Sequence, residues 1–592
     1  MNSETKNCQN CKNQFTIEPE DFNFYEKIKV PPPTFCPECR SQRRMLWRNE
    51  RSLYRAACGL CGKNIVSMYA PKDHIGIYCD ECWWSDKWDP MEYGISYDFG
   101  ESFFSQWKKL FDNVPHIQLW KFRNIDCDYI NYATDDKNCY LSYSAVGCED
   151  TSYSYAVDKS QNILDSEFVD QSSWCYENLD SRNNYRGVFL MSSENCLDSF
   201  FLFDCANCQN CFMSSNLRNK KYVFRNSQYS KQEYETEIKK ISTGSAKDFN
   251  ALRSEFEAMK KKTAPHRFAQ IINAPNSSGD HIENSKNIFR SFAIHDSENL
   301  RYAIRVGRGK DSGDIYGAVY TELAYESVAP SFRGSDAQFA MTNLSSRGIR
   351  YSAFCASSSD LFGCVGMRSK QYCILNKQYT KEEYEELAPR IMAHMNDMSY
   401  VDKMGRTYKY GEFFPPELSP YPYNETIAQE YFPLSKKDIS ALGYKWKDQE
   451  LKRYTATKLP EQLPDNIQDV DDSILNEVIR CKHDQSCDEQ CTQAFKITPD
   501  ELQFYRKMNL PIPALCPNCR HYDRLRRRNP LKLWHRACHC AGEKSENSVY
   551  TNTGTHPSHA KGKHCSNEFE TSYAPDRPEI VYCEQCYQAE VA

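Results

Sequence analysis

The chain has 592 residues, 40% of them hydrophobic, and a formal charge of −6, with a mean hydropathy of −0.74. The length argues against a single core, and no run approaches the roughly 18 apolar residues of a membrane-spanning helix. The charge gives no global attraction to nucleic acid, so any such contact must be local. Met1 to Lys12 carries no apolar stretch of the secretory kind, so a cytoplasmic location is expected and no membrane partner. In that compartment thiols stay reduced, and Cys-x-x-Cys pairs among the 29 cysteines read as metal ligands rather than disulfides.

Residues 1–95 read as a double zinc-ribbon module. Cys8, Cys11, Cys36 and Cys39 form one candidate site, and Cys58, Cys61, Cys79 and Cys82 a second. Two-residue gaps let both sulfurs of a tight turn meet one ion, and four thiolates suit a closed tetrahedral zinc site. Between the two sites run Arg40, Arg44 and Arg48, whose i, i+4, i+8 spacing predicts one face of a short helix. Such a face suits phosphate; the same arginines would equally serve to pair with carboxylates and orient the zinc sites. Trp47, Tyr54 and Trp534 read as core aromatics.

From Ile125 onward Asp126-Cys127, Asn138-Cys139, Asp150-Thr151 and Asn162-Ile163 recur every 12 residues, resuming at Asn195-Cys196 and Asn207-Cys208. A second set holds Asn287-Ile288, Asn299-Leu300, Asp336, Gly348-Ile349 and Asp360-Leu361. Short strands with Asn, Asp and Ser at fixed corners predict a β-solenoid. Its halves span 96–227 and 281–378, and Cys205, Cys208 and Cys211 read as stacked core residues before they read as a metal site. The signature Phe212, Arg218, Tyr222, Asn226, Tyr229 and Tyr234 returns 150 residues later as Phe362, Arg368, Tyr372, Asn376, Tyr379 and Tyr384. Each signature leads into a helical cap, within 228–280 and within 379–472; the latter also holds an aromatic-proline connector and an acidic linker.

Residues 473–592 repeat the first module. With a shift of 480, Cys11, Cys36, Cys39 and Cys58 become Cys491, Cys516, Cys519 and Cys538. Tyr69-Ala-Pro and Cys79-x-x-Cys82 recur as Tyr573-Ala-Pro and Cys583-x-x-Cys586. Arg40, Arg44 and Arg48 return as Arg520, Arg524 and Arg528. The expected ligands here are Cys487, Cys491, Cys516, Cys519, Cys538, Cys540, Cys583 and Cys586. Cys487 and Cys540 sit at irregular spacings, and Cys565, His556, His559 or His564 are alternatives to Cys540. Cys481 and His483 stand just upstream of the first knuckle.

The pattern Cys-x-x-Cys, a Phe four residues on, a Phe-Tyr pair, prolines, then Cys-Pro-x-Cys-Arg covers about Cys8 to Arg40 and again about Cys487 to Arg520. It resembles the "probable zinc-ribbon" family of bacterial proteins. The layout of ribbons around a Tyr/Cys-rich repeat also resembles large uncharacterised zinc-ribbon proteins of small-genome uncultivated bacteria. The resemblance implies zinc and a fold for the ends, and no activity.

The expected fold is therefore mainly β: a central β-solenoid of two duplicated halves with helical caps, flanked by two duplicated double zinc-ribbon modules, with about four Zn2+ per chain. No nucleophile elbow, phosphate loop or His-Glu-x-x-His helix appears, so no enzyme is expected. The leading expectation is a zinc-binding protein whose basic faces contact RNA or DNA. The alternatives are an interaction scaffold with structural zinc and protein partners on the solenoid, and a carbohydrate-active β-helix using Asp135, Asp136, Asp165, Asp170, Asp180 and Arg182.

Overall fold

The computed structural model describes residues 2–71, 76–330, 332–448, 454–484, 487, 489–540, 559 and 565–591. It is mainly β, with a solenoid of about 21 turns in the middle of the chain and cysteine groups flanking it in sequence at both ends. The chain forms two compact units, neither of them continuous: Met1–Leu119 with Ala269–Lys447, and Trp120–Phe268 with Asp448–Ala592. Each unit thus holds one ribbon module and the half-solenoid that lies remote from it in sequence.

The coil is set by a three-residue rule. Strands pair in parallel with partners 12 residues on, as in Gln161 with Ser173 and Leu197 with Gln209. Within one 12-residue coil four residues are left-handed; Asn138, Leu141, Ser144 and Gly147 have φ of 51, 46, 55 and 65°. Side-chain-bearing residues pay for that conformation with roughly 1–2 kcal/mol each. Hydrogen bonds between coils hold them there: Asn138 N–H donates to Ile125 O at 2.9 Å and Leu141 N–H to Asp128 O at 3.1 Å. The recurring Asn and Asp positions are such corners, and Asn287 Nδ2 donates to Asn299 Oδ1 at 2.9 Å along an exposed ladder.

Within the interior coils the residue that follows a corner points inward, so the core also has a period of three. Cys139, Ser142, Ala145, Cys148, Thr151, Ser154, Val157 and Ser160 are all buried. A narrow tube admits only small and medium side chains, which explains the Ser and Cys content. Inward serines satisfy the backbone: Ser166 Oγ donates to Leu164 O at 3.0 Å and accepts the N–H of Asn178 at 3.1 Å. Cysteines take the same place. Cys205, Cys208 and Cys211 are buried and donate to the carbonyls of Phe203, Ala206 and Gln209 at 3.4, 3.3 and 3.5 Å.

Each half ends as its signature predicts. The last parallel strands, Lys221–Phe224 and Gln371–Ile374, turn back antiparallel onto Ser227–Gln228 and Lys377–Gln378. Helices Lys231–Ile238 and Lys381–Asp397 follow, each opened by a capping box, Ser230 with Glu233 and Thr380 with Glu383. Tyr234 and Tyr384 pack on Tyr222 and Tyr372 of the last strands, covering an edge that would otherwise pair with other chains.

Candidate metal centres

Each cysteine group is built from a hairpin and a helix. Strands Glu4–Asn7 and Gln14–Ile17 pair antiparallel, with Cys8 and Cys11 in their turn. Cys36 is the N-cap of helix Pro37–Met45, whose first turn carries Cys39. The second group repeats this with hairpin Tyr54–Ala57 and Asn64–Ser67 and with Cys79 capping Asp80–Trp83. The positive end of each helix dipole favours thiolate.

Four tetra-cysteine groups result: Cys8, Cys11, Cys36, Cys39; Cys58, Cys61, Cys79, Cys82; Cys481, Cys491, Cys516, Cys519; and Cys538, Cys565, Cys583, Cys586. Within each, all sulfurs lie within 4.8 Å of one another. Cys11 Sγ is 3.8 Å from Cys36 Sγ, Cys61 Sγ 3.9 Å from Cys79 Sγ, and Cys565 Sγ 3.8 Å from Cys583 Sγ. A tetrahedron with Zn–S bonds of 2.3 Å has edges of about 3.8 Å. All 29 cysteines are unbridged. The donor set therefore fits a divalent ion such as zinc in every group.

The thiol chemistry points the same way. Cys8 is held far below the usual thiol range by the thiols of Cys36 and Cys39 donating to it, while Cys39 is pushed up by its bond to Cys36. Cys516 is depressed by Cys481 and Cys491, and Cys583 by Cys538 and Cys586. At Cys58 burial acts upward, but the N–H groups of Cys79, Cys61 and Leu60 prevail and bring it down to about 6. Four thiols this close do not all ionise without a cation between them; a dication would let them.

The first sulfur of every group accepts the N–H of the helix-capping cysteine: Cys36 to Cys8, Cys79 to Cys58 and Cys583 to Cys538 at 3.3 Å, Cys516 to Cys481 at 3.2 Å. This bond fixes the register of the duplication: Cys481 rather than Cys487 occupies the place of Cys8. Cys565, named above as an alternative to Cys540, joins Cys538, Cys583 and Cys586, while the Cys540 thiol lies against Cys538 and Cys586 beside them. Cys8 and Cys11 are three apart but Cys481 and Cys491 ten, so the second copy carries seven extra residues inside its knuckle. Cys58 and Cys61 are three apart but Cys538 and Cys565 twenty-seven, an insertion of twenty-four. Cys487 and Cys540 both lie on these insertions; Cys487 Sγ is 3.7 Å from Cys519 Sγ, and Cys540 Sγ accepts the N–H of Cys565 at 3.2 Å. His556 and His564 lie outside the described residues, and His559 is in none of these four groups.

Arg40 and Arg44, and likewise Arg520 and Arg524, do share a helix face, but that face is buried; Arg48 and Arg528 stand past the helix ends, so the expected three-arginine face is not formed. Arg40 donates to Asp314 through Nε at 3.0 Å and Nη2 at 2.8 Å, and Arg44 Nη1 reaches Asp314 at 3.0 Å and Glu326 at 3.2 Å. Arg48 pairs with Glu50. In the other unit Arg520 Nε lies 3.1 Å and Arg524 Nη1 2.8 Å from Asp165 Oδ1, and Arg528 forks onto Asp180 at 2.8–3.2 Å. Arg40, Arg44, Arg520 and Arg524 are 4% exposed or less, which removes the solvent-facing basic surface expected from their spacing. Their carboxylates are solenoid corners one coil apart: Asp314 with Glu326, and Asp165 with Glu177. Of the residues considered for carbohydrate chemistry, Asp165 and Asp180 are paired with these arginines. Trp47 packs in the core against Trp107 and Phe414, and Tyr54 bonds Glu425.

Two histidines had no sequence signal beyond their 150-residue separation. His116 and His266 are buried, each on the short strand that pairs with the last strand of a ribbon module. His116 lies against Tyr69 and His266 against Tyr573, so the duplicated Tyr-Ala-Pro motif marks a ring contact. Burial lowers both to about 4.

No family model matches the chain, and no curated protein matches it. Among solved structures it is similar to the crystal structure of a "putative acetyltransferase" from Desulfovibrio desulfuricans G20, at 8% identity over 49% of this chain and 75% of that one. The TM-score is 0.11, so the likeness carries no argument.

Proposed function

We propose that the chain is a non-catalytic scaffold in which zinc is structural and partners bind the solenoid surface, in a reducing, cytoplasmic setting. One observation carries this reading: the duplicated arginines of the ribbon modules are buried against solenoid carboxylates, so they fasten module to coil. Each group already offers four sulfurs, a closed set with no position left for a reacting water.

A second reading keeps contact with RNA or DNA but moves it to the coil. A cleft of about 420 Å³ in the second half is lined by Arg308, Lys310, Tyr320, Arg333 and Arg347, with Glu322 as the one carboxylate in the lining. Among the described residues no carboxylate pairs with Lys310, Arg333 or Arg347. Arg308 and Arg333 lie over the Tyr320 ring at 4.8 and 5.7 Å, and exposed Phe332 stands beside it. Cations interleaved with aromatic rings suit single-stranded nucleic acid.

Binding of the zinc-loaded chain to mixed RNA and DNA across a salt series separates the two. The scaffold reading expects weak or flat binding, unchanged when Arg308, Arg333 and Arg347 become glutamate. Steep salt dependence that vanishes in this variant overturns it in favour of the cleft.

A further inference from the structure

We propose that the C-terminal module holds a further divalent ion, bound by His483, Cys487 and Glu489 and sharing the Cys519 thiolate with the Cys481, Cys491, Cys516, Cys519 group. The inference rests on reading that group as a metal site. The observation is geometric. One ligand atom from each of His483, Cys487, Glu489 and Cys519 lies within 4.8 Å of all the others. Cys487 Sγ is 3.7 Å from Cys519 Sγ, against about 3.8 Å for the edge of a Zn–S tetrahedron. His483 Nδ1 is 3.2 Å from Glu489 Oε2, close to the about 3.3 Å edge that bonds of 2.0–2.1 Å would give.

The surroundings support a cation at this point. Arg526 holds Glu489 Oε1, while the buried Oε2 accepts no hydrogen bond among the described residues and lies beside His483 Nδ1. With all five thiols and Glu489 ionised, six negative charges would meet here; Arg526 offsets one, so one dication would leave three uncompensated and two would leave one. A thiolate shared between ions is the economical solution when sulfurs crowd this closely. Nitrogen, oxygen and two sulfurs make a borderline donor set suited to zinc.

The feature belongs to the second copy alone. His483 and Cys487 lie on the seven-residue insertion, and between Cys8 and Cys11 stand only Gln9 and Asn10. His483, Cys487 and Glu489 are half-buried, whereas all four cysteines of the adjoining group are buried. The shared ion is therefore the one expected to leave first under a chelator.

Cadmium-113 NMR of the full chain reconstituted with cadmium tests this. Expected is one resonance upfield of the all-thiolate signals, split by coupling to one of them through the shared sulfur. His483→Ala and Cys487→Ser should each remove that resonance and one bound ion per chain, with the all-thiolate signals retained. All-thiolate resonances alone overturn the proposal, as does an upfield resonance that survives both substitutions. Loss of every cadmium signal in the unsubstituted chain would instead sink the reading of the four groups beneath it.

Discussion

Arg40 and Asp314 meet as a buried fork, Nε to Oδ1 at 3.0 Å and Nη2 to Oδ2 at 2.8 Å, across 274 residues of sequence. The arginine lies on the helix that carries Cys39, and the aspartate is a left-handed corner of the coil. Removing one side leaves the other charge buried, so Arg40→Ala or Asp314→Ala should cost about 3–5 kcal/mol. Replacing both by apolar residues of similar volume should cost less than either single change. Denaturant titration of the zinc-loaded proteins measures this, and single changes costing under about 1 kcal/mol would rank the pair with surface ion pairs.

Metal removal should act unevenly. The ribbon modules are short hairpins and helix ends around sulfur, while the coils have their own ladders, so chelation should unfold the modules first. Hydrogen exchange should rise in Tyr54–Ala57 and Asn64–Ser67 before Gln161–Leu164 and Ser173–Tyr176. Simultaneous loss of protection would show the coil to depend on the staples.

Acid should destabilise the fold through His116 and His266. Both are buried, and burial lowers them to about 4 from 6.5. His266 is fixed between Lys260 O at 2.7 Å and the Tyr573 hydroxyl at 2.9 Å. The unfolded chain then binds more protons than the folded one between those values. The stabilisation is fully present above pH 6.5 and is lost as pH falls toward 4, about 3 kcal/mol per histidine at 1.36 kcal/mol per pH unit. Glutamine at both positions should flatten the slope of stability against pH in that window. An unchanged slope would show that acid sensitivity does not run through these two histidines.

The inward serines should tolerate cysteine better than alanine. Ser166→Ala strands the N–H of Asn178 and should cost about 1–3 kcal/mol. Ser166→Cys should cost less, since Leu217 N–H already bonds Cys205 Sγ at 3.5 Å in the same role. Thermal unfolding of the two variants decides the order.

The repeat was legible because corner chemistry is local: Asn138, Asp150 and Asn162 sit where the left-handed backbone favours Asn and Asp. The other corners of each coil escaped notice, since Leu141, Tyr153 and Phe168 adopt the same φ with no such preference and are held by neighbouring coils. Cys36, Cys39, Cys79 and Cys82 were legible because both sulfurs belong to one helix turn. Cys481 was not, and Cys565 only as an alternative to Cys540, because an insertion inside a knuckle preserves the hairpin while destroying the spacing. The arginine run showed its charge but not its partners, which stand hundreds of residues away on the coil. A carboxylate pair 12 residues apart, Asp165 with Glu177 and again Asp314 with Glu326, was the signal that marks them.

The pairing of each module with the remote half-solenoid sets a schedule for synthesis. Arg40 leaves the ribosome 274 residues before Asp314, a wait of about 14–55 s at 5–20 residues per second. Asp165 waits still longer for Arg520, 355 residues on. In that interval the nascent chain shows uncompensated cations on helix Pro37–Met45 and later uncompensated carboxylates on a bare coil. Metal uptake would let the N-terminal module fold while it waits, but only chaperones or speed would shield the coil. A substitution such as Asp314→Ala should therefore lower the yield of newly made protein before any loss of stability in the finished molecule is felt.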